Sequence, residues 1–297
     1  MHFNFIKHRK IYFIFSGITI IASLASLFIF GLKPGIDFTG GSILEIEYKD
    51  VRPSNQEIRA SFSGLDLGEV YVQPTDEKGI IVRMKDISEE THQEVIQKLS
   101  ENNELEELRF ESIGPVIGQE LRGKTEIVIV LSLLAIVLYI AFAFRRLSFP
   151  AKSWQYGVAS LVALVHNILI PLGIFSYLGG FYGIQITIPI VVALLTVLGY
   201  SINDTVVVFD RIRENLLKGT GKDYEETVDL SLNQTLTRSI NTSLTTLFVL
   251  LAIFFLGGET LKYFALALIL GIAFGTYSSI FLTTPTLVSW LKLKKRI

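Results

Sequence analysis

IVVALLTVLGYSINDTVVVFDRIREN, residues 190–215, is the stretch from which the rest of the chain is read. The segment from Ile190 to Phe209 is apolar and long enough to cross a bilayer, yet Asn203 and Asp204 stand inside it. A carboxylate within a membrane span is costly and marks a transport path by default. Asp210, Arg211, Arg213 and Glu214 follow at once, so the helix leaves the bilayer about one to two turns beyond Asp204. Asp204 is thus expected inside the membrane but away from its midplane, and the charges after it read as a solvated helix end.

The composition points the same way. Half of the residues are hydrophobic and 19% are charged, with a mean hydropathy of +0.48, which are values of a membrane protein. Six segments are long and apolar enough to span: Ile11 to Phe30, Ile127 to Phe144, Tyr156 to Leu178, Thr187 to Phe209, Ile240 to Leu256 and Leu261 to Trp290. The sixth exceeds the required length, so its end past Pro285 is expected to tilt, kink or lie at the interface. The first lacks a small-residue cleavage site and reads as an uncleaved anchor. Cysteine is absent, which excludes disulfides and thiolate metal sites. No feature of the charge pattern suggests nucleic acid.

Short cytoplasmic loops carry excess Lys and Arg. Lys7, Arg9 and Lys10 precede span one; Arg145, Arg146 and Lys152 lie between two and three; Arg211, Arg213, Lys218 and Lys222 lie between four and five; Lys292, Lys294, Lys295 and Arg296 follow span six. Both termini are therefore expected in the cytoplasm. The intervening loops, Gly179 to Gly183 and Gly257 to Thr260, carry Glu259 as their single charge. This topology divides the chain into residues 1–31, an extracytoplasmic domain at 32–126 and a five-helix membrane region at 127–297. The net charge of −1 conceals an asymmetry, because residues 32–126 hold 20 of the 28 acidic and 11 of the 27 basic residues.

The outer segment is legible as a fold. Ser42 to Tyr48 alternates as a strand, and Ser54 to Phe62 reads as a helix opened by a Ser54/Glu57 capping box. Strands follow at Glu69 to Gln73 and Gly79 to Met84, then a helix from Ser88 to Asn102 and a strand from Leu108 to Ile113. The order βαββαβ is that of a ferredoxin-like α+β domain, so the fold class is a polytopic α-helical membrane protein with a small extracytoplasmic α+β domain. Such a domain names no function by itself and suits docking or force transmission better than enzymology.

Three segments carry a resemblance. Gly35-Ile36-Asp37-Phe38-Thr39-Gly40-Gly41 follows span one, Gly199-Tyr200-Ser201-Ile202-Asn203-Asp204-Thr205-Val206-Val207-Val208-Phe209-Asp210-Arg211-Ile212-Arg213-Glu214-Asn215 closes span four, and Arg238-Ser239-Ile240-Asn241-Thr242-Ser243-Leu244-Thr245-Thr246-Leu247 opens span five. All three are similar to signatures of the SecF family, within the resistance-nodulation-division superfamily, and the resemblance covers essentially the whole chain. It implies a bacterial inner-membrane subunit that pairs with SecD, assists the SecYEG channel, has YajC as a further partner, and draws on the proton gradient to pull unfolded preprotein outward. No cofactor beyond the proton is expected, no enzymatic activity is expected because no constellation of nucleophile, base and orienting group occurs, and the resemblance implies that SecD would supply six further spans.

The residues themselves suggest how protons would be used. Asp204 can carry a proton, since desolvation disfavours the charged carboxylate, and Arg238 approaches it if spans four and five are antiparallel neighbours. Thr196, Tyr200 and Asp204 share one helical face, as do Arg238, Thr242 and Thr245. Asn203, Thr242 and Thr245 suit a polar crevice or plain helix packing. His166 beside Asn167 in span three is a relay candidate, or a hydrogen-bonded interior residue near Pro171. Gly271, Gly275 and Ser279 read as a helix-contact stripe. Gly35, Asp37, Phe38, Gly40 and Gly41 read as a rigid collar or as a hinge between spans and outer domain. The stretch from Asp223 to Leu236 reads as an interfacial amphipathic helix. Gly219-Thr220-Gly221-Lys222 is no phosphate loop, because Leu216 and Asp223 occupy required positions. Two other functions remain compatible: a passive assembly subunit, and a proton-coupled exporter of small molecules or lipids.

Overall fold

The computed structural model describes residues 3–75, 77–101, 103–143 and 151–294. Arg145, Arg146, Lys295 and Arg296, used above for orientation, lie outside them, as do Phe144 and Asn102 at two expected helix ends. Along the chain come α1 (Arg9–Phe30), α2 (Ile36–Thr39), β1 (Gly41–Tyr48), α3 (Asn55–Ser61), β2 (Tyr71–Pro74), β3 (Gly79–Met84), α4 (Glu89–Ser100) and β4 (Leu105–Ile113). There follow α5 (Pro115–Ala143), α6 (Ser153–Tyr182), α7 (Ile188–Lys218), α8 (Tyr224–Leu256), α9 (Glu259–Ser278) and α10 (Thr284–Leu293). Six helical segments are long and apolar enough to cross a membrane, the sixth running through α9 and α10. The protein is a multi-pass membrane protein, and its chain forms two compact units.

One unit comprises Leu32–Val128 together with Leu178–Ile188, the connection between the third and fourth spans. Its sheet has the order β2-β3-β1-β4, and every neighbouring pair is antiparallel. Leu44, Ile46 and Tyr48 alternate along β1 and meet Ile80, Val82 and Met84 of β3, with Ile58 and Phe62 from the α3 region and Val95 and Leu99 of α4 above them. The opposite face is not bare, since Ile43 and Ile81 pack with Ile36 of α2. The capping box forms: Glu57 N donates to Ser54 Oγ at 3.3 Å and Ser54 N to Glu57 Oε2 at 2.8 Å. The bond from the Ser54 backbone holds the Glu57 carboxyl below its ordinary range. Ser88 caps α4 through the amide of Thr91.

β4 begins at Leu105, earlier than alternation suggested. The register explains why: Glu45 faces Arg109 but Ile46 faces Glu107, so Leu108 is an extra residue in a bulge. The bulge shifts the alternation by one and hides the first half of the strand from a period-two reading.

The other unit holds Met1–Gly31, Ile129–Tyr177 and Pro189–Ile297. Its helices run beyond the apolar segments, because hydropathy marks the bilayer-facing part of a helix rather than its ends. α7 and α8 are antiparallel neighbours, joined where Asn215 Nδ2 donates to Ser231 Oγ at 2.8 Å and Tyr200 OH to Ser243 Oγ at 3.4 Å. The stretch expected as an interfacial helix is instead the first third of α8. Its Tyr224, Thr227, Val228, Ser231, Leu232 and Thr235 are buried in protein, so its apolar side faces helices rather than lipid headgroups. The sixth span breaks at a π-helical turn, Ser279–Thr283, just before Pro285. Proline removes an amide and crowds the preceding turn; the wider π turn accommodates this, and Thr283 Oγ1 donates to Ser278 O at 2.9 Å.

Ahead of α1, Ile6 N donates to Asp229 Oδ1 at 3.0 Å, and Glu225 is bridged by Arg9 at 3.0 Å and Lys292 at 2.7 Å. These contacts fix the start of α1 against α8 and α10.

Ile46→Ala, at a fully buried β1 position, is expected to cost about 2–5 kcal/mol, read as faster amide exchange in β1 and β3. The capping box has a pH signature with a definite sign. A carboxyl whose folded pKa is depressed stabilises above its unfolded value and loses that contribution as pH falls, so amide protection at the start of α3 is expected to drop below about pH 4, and Glu57→Gln is expected to remove the pH dependence.

Candidate functional site

Why Asp204 is buried follows from helical geometry. In α7 the residues Ala193, Leu194, Val197, Leu198, Ser201, Ile202, Thr205 and Val208 form the protein-facing side, and Asp204 lies on it three residues after Ser201. It is 6% exposed. Across the helix contact it faces Ser239 of α8, with Arg238 in electrostatic reach. Neither Asp204 Oδ2 nor Ser239 Oγ completes a regular hydrogen bond. A buried carboxyl with an unsatisfied oxygen in a helix contact is a candidate functional group.

The polar surroundings continue on both sides. On α6, His166 and Asn167 are fully buried. His166 Nδ1 lies 3.0 Å from Asn167 Oδ1, its ring stacks on Tyr277, and its Nε2 is buried without a partner. Asn167 Nδ2 donates to Ser201 Oγ at 2.6 Å, tying α6 to α7. Ser243 of α8 bonds Thr276 of α9. Hydroxyls and amides thus link α6 to α7 through Asn167 and Ser201, and separately α7 to α8 and α9 through Tyr200, Ser243 and Thr276.

Not every expected residue joins it. Asn203 is exposed, since it is one step around the helix from Asp204. Arg238, Thr242 and Thr245 are also exposed, and both threonines donate to backbone carbonyls of their own helix. Among the described residues no ion pair closes between Asp204 and Arg238, which is exposed. The inward face of α8 is the adjacent series Ser231, Thr235, Ser239 and Ser243, all buried. Their unbroken spacing of four was the available signal, but hydroxyls on both faces of this helix made the choice of face ambiguous.

The stripe on α9 is a helix contact. A Cβ at Gly271 would lie 2.2 Å from Val197 Cγ2, and one at Gly275 would meet Ser201 at 3.4 Å. Gly271 therefore lets α9 approach the face of α7 that carries Asp204.

The collar residues lie within the sheet unit. Gly35 is buried, and its amide donates to Ile186 O at 2.7 Å. Gly40 and Gly41 turn with φ of 74° and 133°, and Cβ atoms there would lie 2.7 Å from Pro115 Cα and 2.8 Å from Met84 O. Phe38 is half-buried. Asp37 Oδ2 accepts from Ile188 N at 2.8 Å. Backbone conformation and close approach both require glycine at Gly40 and Gly41.

Apolar helices that enclose a buried carboxyl and buried hydroxyls among the described residues, with a small α+β unit inserted after the first span, define a polytopic membrane protein. Residues 92–293 match the family "Protein export membrane protein SecD/SecF, C-terminal", and residues 25–50 match the SecD/SecF GG motif. The chain is 42% identical to the protein translocase subunit SecF of Thermobaculum terrenum, over 97% of this chain and 93% of the relative. It is 38% identical to that of Anaerolinea thermophila, over 97% and 94%. The crystal structure of SecDF from Thermus thermophilus, a translocon-associated membrane protein, superposes with a TM-score of 0.86 at 34% identity, covering 98% of this chain and 39% of that one. The chain belongs to the SecF family of protein export membrane proteins.

The packing makes a paired prediction. Gly271→Ala is expected to destabilise the bundle by about 1–3 kcal/mol through overpacking, whereas Gly17→Ala, with nothing within 4 Å of the added carbon, leaves thermal stability in detergent unchanged or raised.

Proposed function

We propose that this chain is the SecF subunit of a proton-driven export machine. Paired with SecD, it assists SecYEG, with YajC as a further partner, in drawing unfolded preprotein across a bacterial inner membrane, and no cofactor beyond the proton is needed. Both termini face the cytoplasm and residues 32–126 lie outside. The basic residues flanking the spans support that orientation.

The observation that carries the proton reading is Asp204, buried on α7 with one carboxylate oxygen unsatisfied and a second-helix hydroxyl facing it. Protonation there removes a buried charge, and ionisation draws Arg238 or water toward it. Either event changes how α7 and α8 pack. One charge crossing a membrane potential yields about 2.3 kcal/mol per 100 mV, so a few protons suffice to drive such a repacking.

The SecD pairing is supported by what the bundle leaves outside. Asn203 on α7, and Arg238, Asn241, Thr242 and Thr245 on α8, are exposed on helices otherwise suited to lipid. Polar side chains at that depth need protein or water beside them. A second helical half supplies both, in keeping with the SecDF relative, of which this chain spans 39%.

In membrane vesicles carrying SecD with this chain at matched abundance, Asp204→Asn is expected to abolish the gradient-stimulated component of precursor release while leaving the gradient-independent component intact. Unchanged stimulation would remove Asp204 from the mechanism and leave a passive assembly role.

A further inference from the structure

We propose that Asp37 is a positioning residue for α7, acting as a cap supplied from a distant part of the chain. The proposal rests on the reading of Asp204 as the proton site, because α7 is the helix that carries it.

A helix leaves its first amides without partners. In α7, Pro189 has no amide to satisfy, and the amide of Ile188, the first residue, donates to Asp37 Oδ2 at 2.8 Å. A carboxylate at that end also complements the positive pole of the helix. The donor and acceptor are 151 residues apart in sequence, so this cap ties the segment leaving α1 to the segment leading into α7.

Two further rungs reinforce it. Ile186 N donates to Lys33 O and Gly35 N to Ile186 O, each at 2.7 Å, which makes a short parallel bridge between Pro34 and Ile186. A Cβ at Gly35 would lie 3.0 Å from Ile186 O, so only glycine allows this approach without displacement. The short helix α2 then turns Asp37 back toward Ile188, and Gly40 and Gly41 fix where α2 ends and β1 begins. The glycine motif thus builds a socket in which one bond holds the first residue of α7 and two hold Ile186 just ahead of it. From Ile188 the helix runs unbroken through Asp204 to Lys218. A capped first turn keeps the helix hydrogen-bonded from its start and opposes fraying of the element that carries the carboxyl.

The cap needs an acceptor oxygen, not a charge, and that separates this role from any in which Asp37 titrates or attracts a cation. In the full chain with SecD, Asp37→Ala is expected to speed amide exchange in the first turn of α7 by roughly fivefold to tenfold and to remove most gradient-stimulated release. Asp37→Asn, which keeps one acceptor, is expected to restore both. Asp204→Asn should leave exchange at Ile188–Val191 unchanged, so the exchange measurement stands whether or not Asp204 proves to be the proton site. Unaltered exchange in Asp37→Ala overturns the cap. Faster exchange with full stimulated release overturns its positioning role, and an Asp37→Asn protein that folds normally but loses stimulated release assigns the residue a charge role instead. If Asp37→Ala fails to accumulate, Asp37→Asn alone decides, since retained release supports the cap and lost release overturns it.

Discussion

Removing a carboxyl from water is among the largest penalties a helix bundle can incur, and its neighbours must either neutralise it or tolerate its changing state. At Asp204 they do little to neutralise it. Ser239 faces it without a regular bond, Arg238 stays outside, and the remaining neighbours on α7 are apolar or hydroxyl-bearing. A fully paired Asp204 would lock the α7–α8 contact. In the proposed function, an unsatisfied one leaves that contact open to change with a proton, and the small residues of the bundle keep the helices close.

Closeness comes from small residues. Apolar side chains gain little by associating inside lipid, which is already apolar, so packing and interhelical hydrogen bonds must hold the bundle. Ser231, Thr235, Ser239 and Ser243 give α8 a narrow face toward its neighbours, and Gly271 lets α9 press on Val197 of α7. The same hydroxyls that narrow α8 also provide bonds, from Asn215 to Ser231 and from Tyr200 to Ser243. Polarity and close packing are therefore one feature of this bundle. His166 shares it, anchored by Asn167 and stacked on Tyr277, with a free Nε2 that neither α6 nor its packed neighbours satisfy.

Much of this was legible in the sequence because lipid and water impose strict patterns. Six apolar runs gave six spanning helices, and a period-two alternation with turn residues gave the βαββαβ unit, down to the Ser54/Glu57 box. What escaped had local physical causes. The bulge at Leu108 reversed the alternation of β4. A helix with hydroxyls on two faces does not announce which face is inward: Thr242 and Thr245 are exposed, while Ser239, which faces Asp204, and Ser243 are buried. The Asp37–Ile188 bond joins residues that no periodicity relates. Long-range contacts made by a single side chain leave no mark in a linear pattern.

Polar side chains also stand on the outside of the bundle. Asn203 and Arg238 lie next in sequence to Asp204 and Ser239, and a single residue step turns a helix by about 100 degrees, so one member of each pair faces into this bundle and the other away from it. The two signature segments therefore serve two surfaces at once. Inward, they place a carboxyl against a hydroxyl; outward, they present an amide and a guanidinium on helices that lipid alone cannot solvate. A bundle built only to be stable would have placed Leu or Val there. Retaining Asn203 and Arg238 on the outside makes sense when a second set of helices packs there, as the length of the SecDF relative allows.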